Sequence, residues 1–330
     1  MHRRHLILHL SIGLPAAAAV GVGPAPTRAQ PAAWPDRPVR LLVPFPPGGA
    51  IDAMARLLAP RLSDALGRPA VVENRGGAGG TIGTAAAAQS TDGHTLLMVS
   101  IAHAVNPALY PRLPYDSSAD FAAVAPVAVV PNLLVVPASS PVRDVPGLIE
   151  AARRRPGELS YGSAGNGTSI HLAGALFCAM AGIEMMHVPY RGSGPAASDL
   201  LAGRIGCMFD SVTAAAPHLA AGRLRALAVT TGRRIAAYPE LPTVAEAGPL
   251  PGYAVDPWFA MLAPRSLPAE TRARTGTAVA EALRDPAVRE RFAAIGAEPM
   301  EGDAASLERL IADETAKWGE LVRRLGIQPD

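Results

Sequence analysis

The sequence predicts an α/β protein of two lobes, each built from right-handed βαβ units, joined by two extended crossovers. Three observations carry this. Short apolar strands alternate with segments of helical period from Val39 to about residue 250, which is the pattern of a mostly parallel sheet. A Pro-punctuated extended stretch, 124–137, divides that alternation into runs at roughly 39–123 and 140–250, and a second extended stretch follows at 253–262. From Pro268 the chain is helical with no sheet of its own, so it is expected to fold back onto the first sheet and leave a cleft between the lobes.

In chain order, Val39 to Phe45 reads as a strand and Ile51 to Leu66 as a helix, with Ile51, Met54, Leu58, Leu62 and Ala65 on one face. Pro69 to Glu73 and His94 to Ser100 are further strands, and Val124 to Val136 is a long β-rich stretch broken at Pro126 and Pro131. Leu159 to Ser163 is a strand, followed by a helix from Ile170 to Ala181 that Thr168 or Ser169 can cap. Met185 to Tyr190, Arg204 to Asp210 and Leu224 to Thr230 read as strands, and 268–284, 286–295 and 304–325 as helices.

Charge narrows the function. The 330 residues carry 30 Lys and Arg against 28 Asp and Glu, a formal charge of +2. Arg3, Arg4 and Arg28 fall in 1–29, which holds no acid, so 27 bases face 28 acids in the remainder. A near-neutral chain has no electrostatic footprint for nucleic acid. Lys317 is the single lysine, which excludes a Walker A loop and makes a Schiff-base lysine a poor fit. Hydrophobic residues make up 49%, too many for a disordered chain, and the length suits two domains.

The first residues read as a targeting segment. A basic start, Met1-His-Arg-Arg-His5, precedes an apolar run from Leu6 to about Gly23, and Thr27-Arg28-Ala29 offers a cut before Gln30. Pro15 and His9 interrupt the run, which is short for a membrane span of about 20 residues. Export with cleavage near Ala29 is expected. Arg3-Arg4 leaves both the general secretory route and a twin-arginine route open. Cys178 and Cys207 are the only cysteines and read as buried thiols, with a pairing left open. His94, His103, His171, His187 and His218 form no metal-ligand spacing, so no metal is expected.

Three loops are rich in glycine: 44–52, 73–83 and 161–169. Glycine lets a backbone approach a ligand, and free N–H groups at a helix start favour an anion. The first and third loops open into helices and are the candidates for anion binding; the second reads better as a set of tight turns. Asp52 stands in the first turn of a helix, where it can cap or complement the dipole. Arg191 could pair a carboxylate or face solvent, and Asp210 ends a strand at the cleft. Enzyme motifs fail: Gly77-Ala-Gly79 and Gly165-Asn-Gly167 lack the third glycine of a dinucleotide loop, and Tyr161 stands where a nucleophile elbow needs glycine. Ser163, His171 and Asp210 remain a triad only on paper.

Read together, these segments resemble a known family. Trp34 to Gly49 with Asp52, Val72-Glu-Asn-Arg75, Gly77 to Thr84, Asp92-Gly-His-Thr-Leu-Leu97, Asn106 to Tyr110 and Leu113-Pro-Tyr-Asp116 occur in the family's order. So do Tyr161-Gly-Ser-Ala-Gly165 with His171-Leu172, His187 to Gly192, Met208-Phe-Asp210, Leu224 to Thr230 and Leu241-Pro-Thr243 with Glu246 and Gly248. The succession, over essentially all of 34–325, closely resembles the Bug/TctC-type periplasmic substrate-binding proteins of tripartite tricarboxylate transporters.

That resemblance implies a type II periplasmic-binding fold: a signal peptide at 1–29, lobe 1 from 30–128 and 255–330, lobe 2 from 129–254, and a Venus-flytrap closure about 124–137 and 251–264. It implies capture of a small carboxylate-containing solute, no catalysis, no cofactor, a monomer in the periplasm, and membrane transporter subunits as partners. A sensing subunit for a membrane signalling system is the alternative, and a serine hydrolase through Ser163 a distant one. The ligand contacts it implies are Phe45, Gly48, Gly49 and Asp52, then Ser100 and Ala102, then Ser163, Gly165, Asn166, Gly167 and Thr168, with Asp210 less certain. Gly76 departs from the family's proline and His94 from its tyrosine, and Ile51 suggests tolerance of an apolar ligand portion.

Overall fold

The computed structural model describes residues 34–327 and Pro329; the expected signal segment and its cut before Gln30 lie outside the described residues. In chain order the first run is β1 (Val39–Val43), α1 (Ala50–Leu66), β2 (Ala70–Asn74), α2 (Thr81–Ala88), β3 (Thr95–Ser100), α3 (Ala102–Leu109) and β4 (Phe121–Val129). The second is β5 (Asn132–Pro137), α4 (Val145–Arg154), β6 (Ser160–Ser163), α5 (Ser169–Ala181), β7 (Met186–Pro189), α6 (Ser193–Leu201), β8 (Cys207–Ser211), α7 (Val212–Ala220), β9 (Leu224–Val229) and α8 (Val244–Ala247). Then come β10 (Trp258–Pro264), α9 (Ala269–Arg284), α10 (Pro286–Ala294), β11 (Glu298–Pro299) and α11 (Ala304–Leu325).

Two sheets result. One runs β11-β4-β10-β3-β1-β2 and the other β7-β6-β8-β5-β9. β1 pairs parallel with β2 and β3, and β6 parallel with β7 and β8, as helix-linked strands must. The chain leaves the first sheet after Val129 and joins the second at Asn132; it leaves the second after Val229 and rejoins the first at Trp258. There β10 lies antiparallel between β3 and β4. The helical tail does return to the first sheet, with α9 and α11 packed on β4. It is not wholly without strand, since β11 pairs with the edge of β4.

Pro126 does not break its strand, contrary to the sequence reading. β4 runs through it, and the register with β10 slips beside it, Phe259 facing Ala128 and Ala260 facing Pro126. A bulge is where a residue without an N–H fits a central ladder. Arg204 to Gly206 also stays outside the expected strand, which begins at Cys207.

Side chains alternate between faces as a strand requires. Leu41 and Val43 join Met54, Leu58 and Phe292 on one face of the first sheet, while Leu42 joins the large core shared with Leu97, Phe177 and Trp318. In the second sheet Leu133, Val135 and Met208 face Leu200, whereas Leu134, Val136 and Phe209 face that same large core. Cys178 and Cys207 are free thiols, pushed by burial to about 12 and to well above their usual range. Among the described residues no helix is long and apolar enough to cross a membrane.

Phe209 is fully buried and meets Tyr161 and Phe177 ring to ring, at centroid distances of 6.4 and 5.4 Å. Phe209→Ala should cost about 3–5 kcal/mol of unfolding free energy. Urea denaturation followed by circular dichroism measures it.

Candidate functional site

The carboxyl ends of β1, β3, β6 and β8 and the amino ends of β5 and β10 meet at one cavity of about 110 Å³. The first sheet's elements line it with Phe45, Pro46, Pro47, Gly49, Ala50, Ile51, Ser100 and Phe259. The second contributes Asn132, Ala164, Thr168, Ser169, Ile170, Ser211 and the turn Gly192 to Pro195. None of these lining residues carries a charged side chain.

Positive potential comes instead from backbone. α1 starts at Ala50, α5 at Ser169, α6 at Ser193, and α7 after its cap Ser211; residues of all four starts line the cavity. α3 starts at Ala102, two residues beyond the lining Ser100. Strand-to-helix turns put helix N-termini at this edge of an α/β sheet. Each terminus carries roughly half a positive charge on N–H groups with no intrahelical acceptor. Gly49 caps α1 without a side-chain bond, and among the described residues no acceptor engages the N–H groups of Gly49, Ala50 or Ile51.

The first loop is held from behind by Asp52. Its carboxylate accepts from Gly48 N–H at 3.0 Å, from Arg56 Nε at 3.0 Å and from Asn74 Nδ2 at 2.9 Å. Asn74 Nδ2 also donates to the Phe45 carbonyl at 3.0 Å. Burial opposes the charge on Asp52, but the bonds from Arg56, Gly48 and Asn74 outweigh it and hold the carboxyl below its ordinary value. Asp52 is buried and is not among the lining residues; its bonds fix the loop. The Gly48 N–H is committed to Asp52, and Gly48 sits at φ +93°, which suits glycine. Gly76 fits this packing too: a Cβ there would lie 2.5 Å from Pro46 Cδ.

In the second lobe Ser163 has no exposed surface. Its Oγ accepts the Gly165 N–H at 3.1 Å and lies 2.7 Å from His187 Nε2. Thr168 Oγ1 donates to the Gly165 carbonyl at 2.7 Å and caps α5 by accepting the His171 N–H, while Gly167 N–H donates to His171 Nδ1 at 3.1 Å. His187 stacks on His171 at 4.0 Å and on Tyr161 at 5.0 Å. Ser163, Gly165, Gly167 and Thr168 thus form one turn above a stack of rings. Asp210, 1% exposed, accepts from the Ser193 hydroxyl and from the Ser211 N–H. Asp210 is thus held by Ser193 and Ser211, whereas Ser163 and His171 share His187 as a neighbour.

Gly165 and Asn166 line a neighbouring cavity of about 210 Å³ with Gly77 to Gly80, Tyr110 and Arg191. There the second glycine loop meets the third: a Cβ on Gly79 would stand 2.2 Å from the Asn166 carbonyl oxygen. Asn106 Nδ2 donates to the Gly79 carbonyl at 3.3 Å from the adjoining helix. Of the twelve residues singled out from sequence, Phe45, Gly49, Ser100 and Thr168 line the central cavity, and Gly165 and Asn166 line its neighbour. Gly48, Asp52, Ala102, Ser163, Gly167 and Asp210 are not among the lining residues of either cavity. Sequence reasoning missed Pro46, Pro47, Asn132, Ser169, Ile170, Ser193, Ser211 and Phe259. Ser193 lies two residues beyond Arg191, whose charge is the more conspicuous feature of that stretch of sequence.

Residues 54–327 match the model of the tripartite tricarboxylate transporter family receptor, TctC. Protein BugT of Bordetella pertussis is 40% identical over 296 residues, 89% of this chain and 90% of BugT. The chain belongs to the TctC receptor family. This TctC-family member is therefore a solute-binding protein, and its two α/β lobes have the family's periplasmic-binding fold. Rpa4515 of R. palustris, solved with adipate, superimposes with a TM-score of 0.86 at 41% identity, covering 90% of this chain and 100% of that one. MatC (Rpa3494) from Rhodopseudomonas palustris, with bound malate, gives 0.83 at 32% identity, covering 88% and 100%.

Asp52→Ala should cost about 2 kcal/mol of stability, because it removes the charged acceptor shared by Gly48 N–H, Asn74 Nδ2 and Arg56 Nε. Arg56→Ala should cost less than about 1 kcal/mol, since that side chain is 53% exposed. Chemical denaturation of both variants checks the order. A second expectation concerns His103, which is 4% exposed and lowered by burial to about 4. Between pH 6.5 and 4 the unfolded imidazole binds a proton that the folded one refuses, so its contribution to stability is lost as pH falls. That loss is of the order of 3 kcal/mol. The stability gap between the protein and His103→Gln should narrow or reverse from pH 6.5 to 4.5; Asp210, raised by burial to about 6, acts alike in both and cancels.

Proposed function

We propose that this chain captures a small carboxylate-bearing organic solute between its lobes and hands it to membrane transporter subunits. The observation that carries this reading is the convergence of helix N-termini on a cavity whose lining holds no charged side chain. Such a wall favours a compact anion over a cation or a neutral sugar. Ile51, Ile170 and Phe259 supply an apolar portion for a carbon chain. The adipate held by Rpa4515 and the malate held by MatC are solutes of this kind.

Lobe 1 is 30–128 with 255–330 and lobe 2 is 129–254, hinged where the chain crosses between sheets. Closure is a population shift set by the ligand's differential affinity for the two states. The chain acts in the periplasm after export, as a monomer, and performs no catalysis. Ligand contacts run through Gly49, Ser100 and Thr168 with Phe45. Gly48, Asp52, Ala102, Ser163, Gly165, Asn166, Gly167 and Asp210 shape the loops that present them.

A thermal-shift screen of dicarboxylates, tricarboxylates, amino acids and aromatic acids tests the reading. A true ligand at 100-fold over its Kd adds about 2.7 kcal/mol to stability. If no carboxylate raises the melting temperature, the reading fails.

A further inference from the structure

Five hydroxyls line the central cavity: Ser100, Thr168, Ser169, Ser193 and Ser211. Each has one proton and two lone pairs, so the partner behind it decides what it offers in front. Ser169 Oγ accepts from Asn132 Nδ2 at 3.1 Å, and Ser211 Oγ accepts the Ala214 N–H at 3.3 Å, which leaves their protons for a solute. Thr168 gives its proton to the Gly165 carbonyl. Among the described residues, Ser193 is the one of the five whose hydroxyl donates to a carboxylate, Oδ1 of Asp210. Ser211 N–H donates to that same oxygen at 2.9 Å, and Asp210 Oδ2 is buried with no hydrogen-bond partner.

A charge-assisted bond of this kind fixes the Ser193 proton inward. What Ser193 turns to the cavity is therefore an oxygen lone pair. Beside it stand donors suited to carboxylate oxygens, Ser169, Ser211 and the free amides at the start of α1, while Thr168 is occupied by the Gly165 carbonyl and the His171 N–H.

We propose that Asp210 is a positioning residue for ligand selection: acting through Ser193, it sets a hydrogen-bond acceptor beside these donors, so that the preferred solute is a carboxylate carrying a hydroxyl or amino donor on its chain. This rests on the carboxylate reading above and narrows it. An unsubstituted acid puts a methylene against the Ser193 oxygen and leaves that acceptor desolvated without a partner. A hydroxyl or ammonium group supplies the missing proton.

The test is titration calorimetry on the full chain at pH 8, where Asp210, pushed up by burial to about 6, is ionised. The probes are matched series: succinate, malate and aspartate; glutarate, 2-hydroxyglutarate and glutamate; adipate, 2-hydroxyadipate and 2-aminoadipate. In the chain length that fits, the donor-bearing acid should bind about tenfold tighter than its unsubstituted partner; the hydroxy and amino arms separate the two donors. Ser193→Ala should bring that ratio close to one, and Ser193→Thr should restore it. Asp210→Asn should keep the ratio, because Ser193 O–H and Ser211 N–H both require the amide oxygen. Asp210→Ala should lower it by releasing the Ser193 proton. The ratio is the readout because a purely structural role would weaken all acids alike. Equal binding of matched acids, or a ratio unchanged in Ser193→Ala, overturns the proposal while leaving the carboxylate reading standing. Failure of every acid to bind removes that reading and this inference with it.

Discussion

The antiparallel pairing of β4 with β10 is the constraint on which the architecture depends. These are the two segments that carry the chain between the sheets, and Trp258 to Pro264 pairs along Phe121 to Val129 in the middle of the first sheet. Each strand is buried along nearly all its length. Because they run together, both crossings leave the first sheet from the same end, at Val129 and Trp258. That end also carries Phe259 and the Ser100 it pairs with, both on the cavity wall. The pairing that joins the lobes therefore also places part of the site.

A second consequence concerns charge. Carboxylates and guanidinium groups are plentiful on this protein, yet Asp52 and Asp210, close behind the cavity, are turned to structural work. Asp52 ties Arg56 and Asn74 to the first loop, and Asp210 holds Ser193 and Ser211. Desolvating a charged side chain inside a cleft that opens and closes would cost several kcal/mol at each closure. Helix termini avoid that cost, since their N–H groups are already oriented and their dipoles are fixed by the fold.

Much of the fold was legible because apolar periodicity changes between strands and helices, and because the turns at strand ends carry glycine. That is why both sheets, the crossovers and the return of the tail were foreseen. Pro126 was misread because a bulge that tolerates it depends on the partner strand, more than 130 residues away in sequence. The cavity wall was legible where a motif and a lining residue coincide, as at Gly49 and Thr168. It was not legible where function depends on which way a side chain turns. Asp52 has Gly48 and Arg56 four residues to either side, visible to any reader, but its third partner is Asn74 at the end of β2. Ser193, Ser211 and Phe259 come from three separate elements, and their convergence depends on the second sheet's strand order and the crossovers.

The absence of charged side chains from the cavity wall bears on the medium in which the protein works. Ionic atmosphere weakens interactions between exposed charges over about 8 Å at physiological ionic strength. A solute held, as proposed, by amide and hydroxyl groups at hydrogen-bond distance lies inside that range. The near neutrality of the chain beyond residue 29 removes long-range attraction as well. Capture therefore gains little from electrostatic steering in dilute surroundings and loses little when salt rises. On the proposed reading, binding should change little with ionic strength.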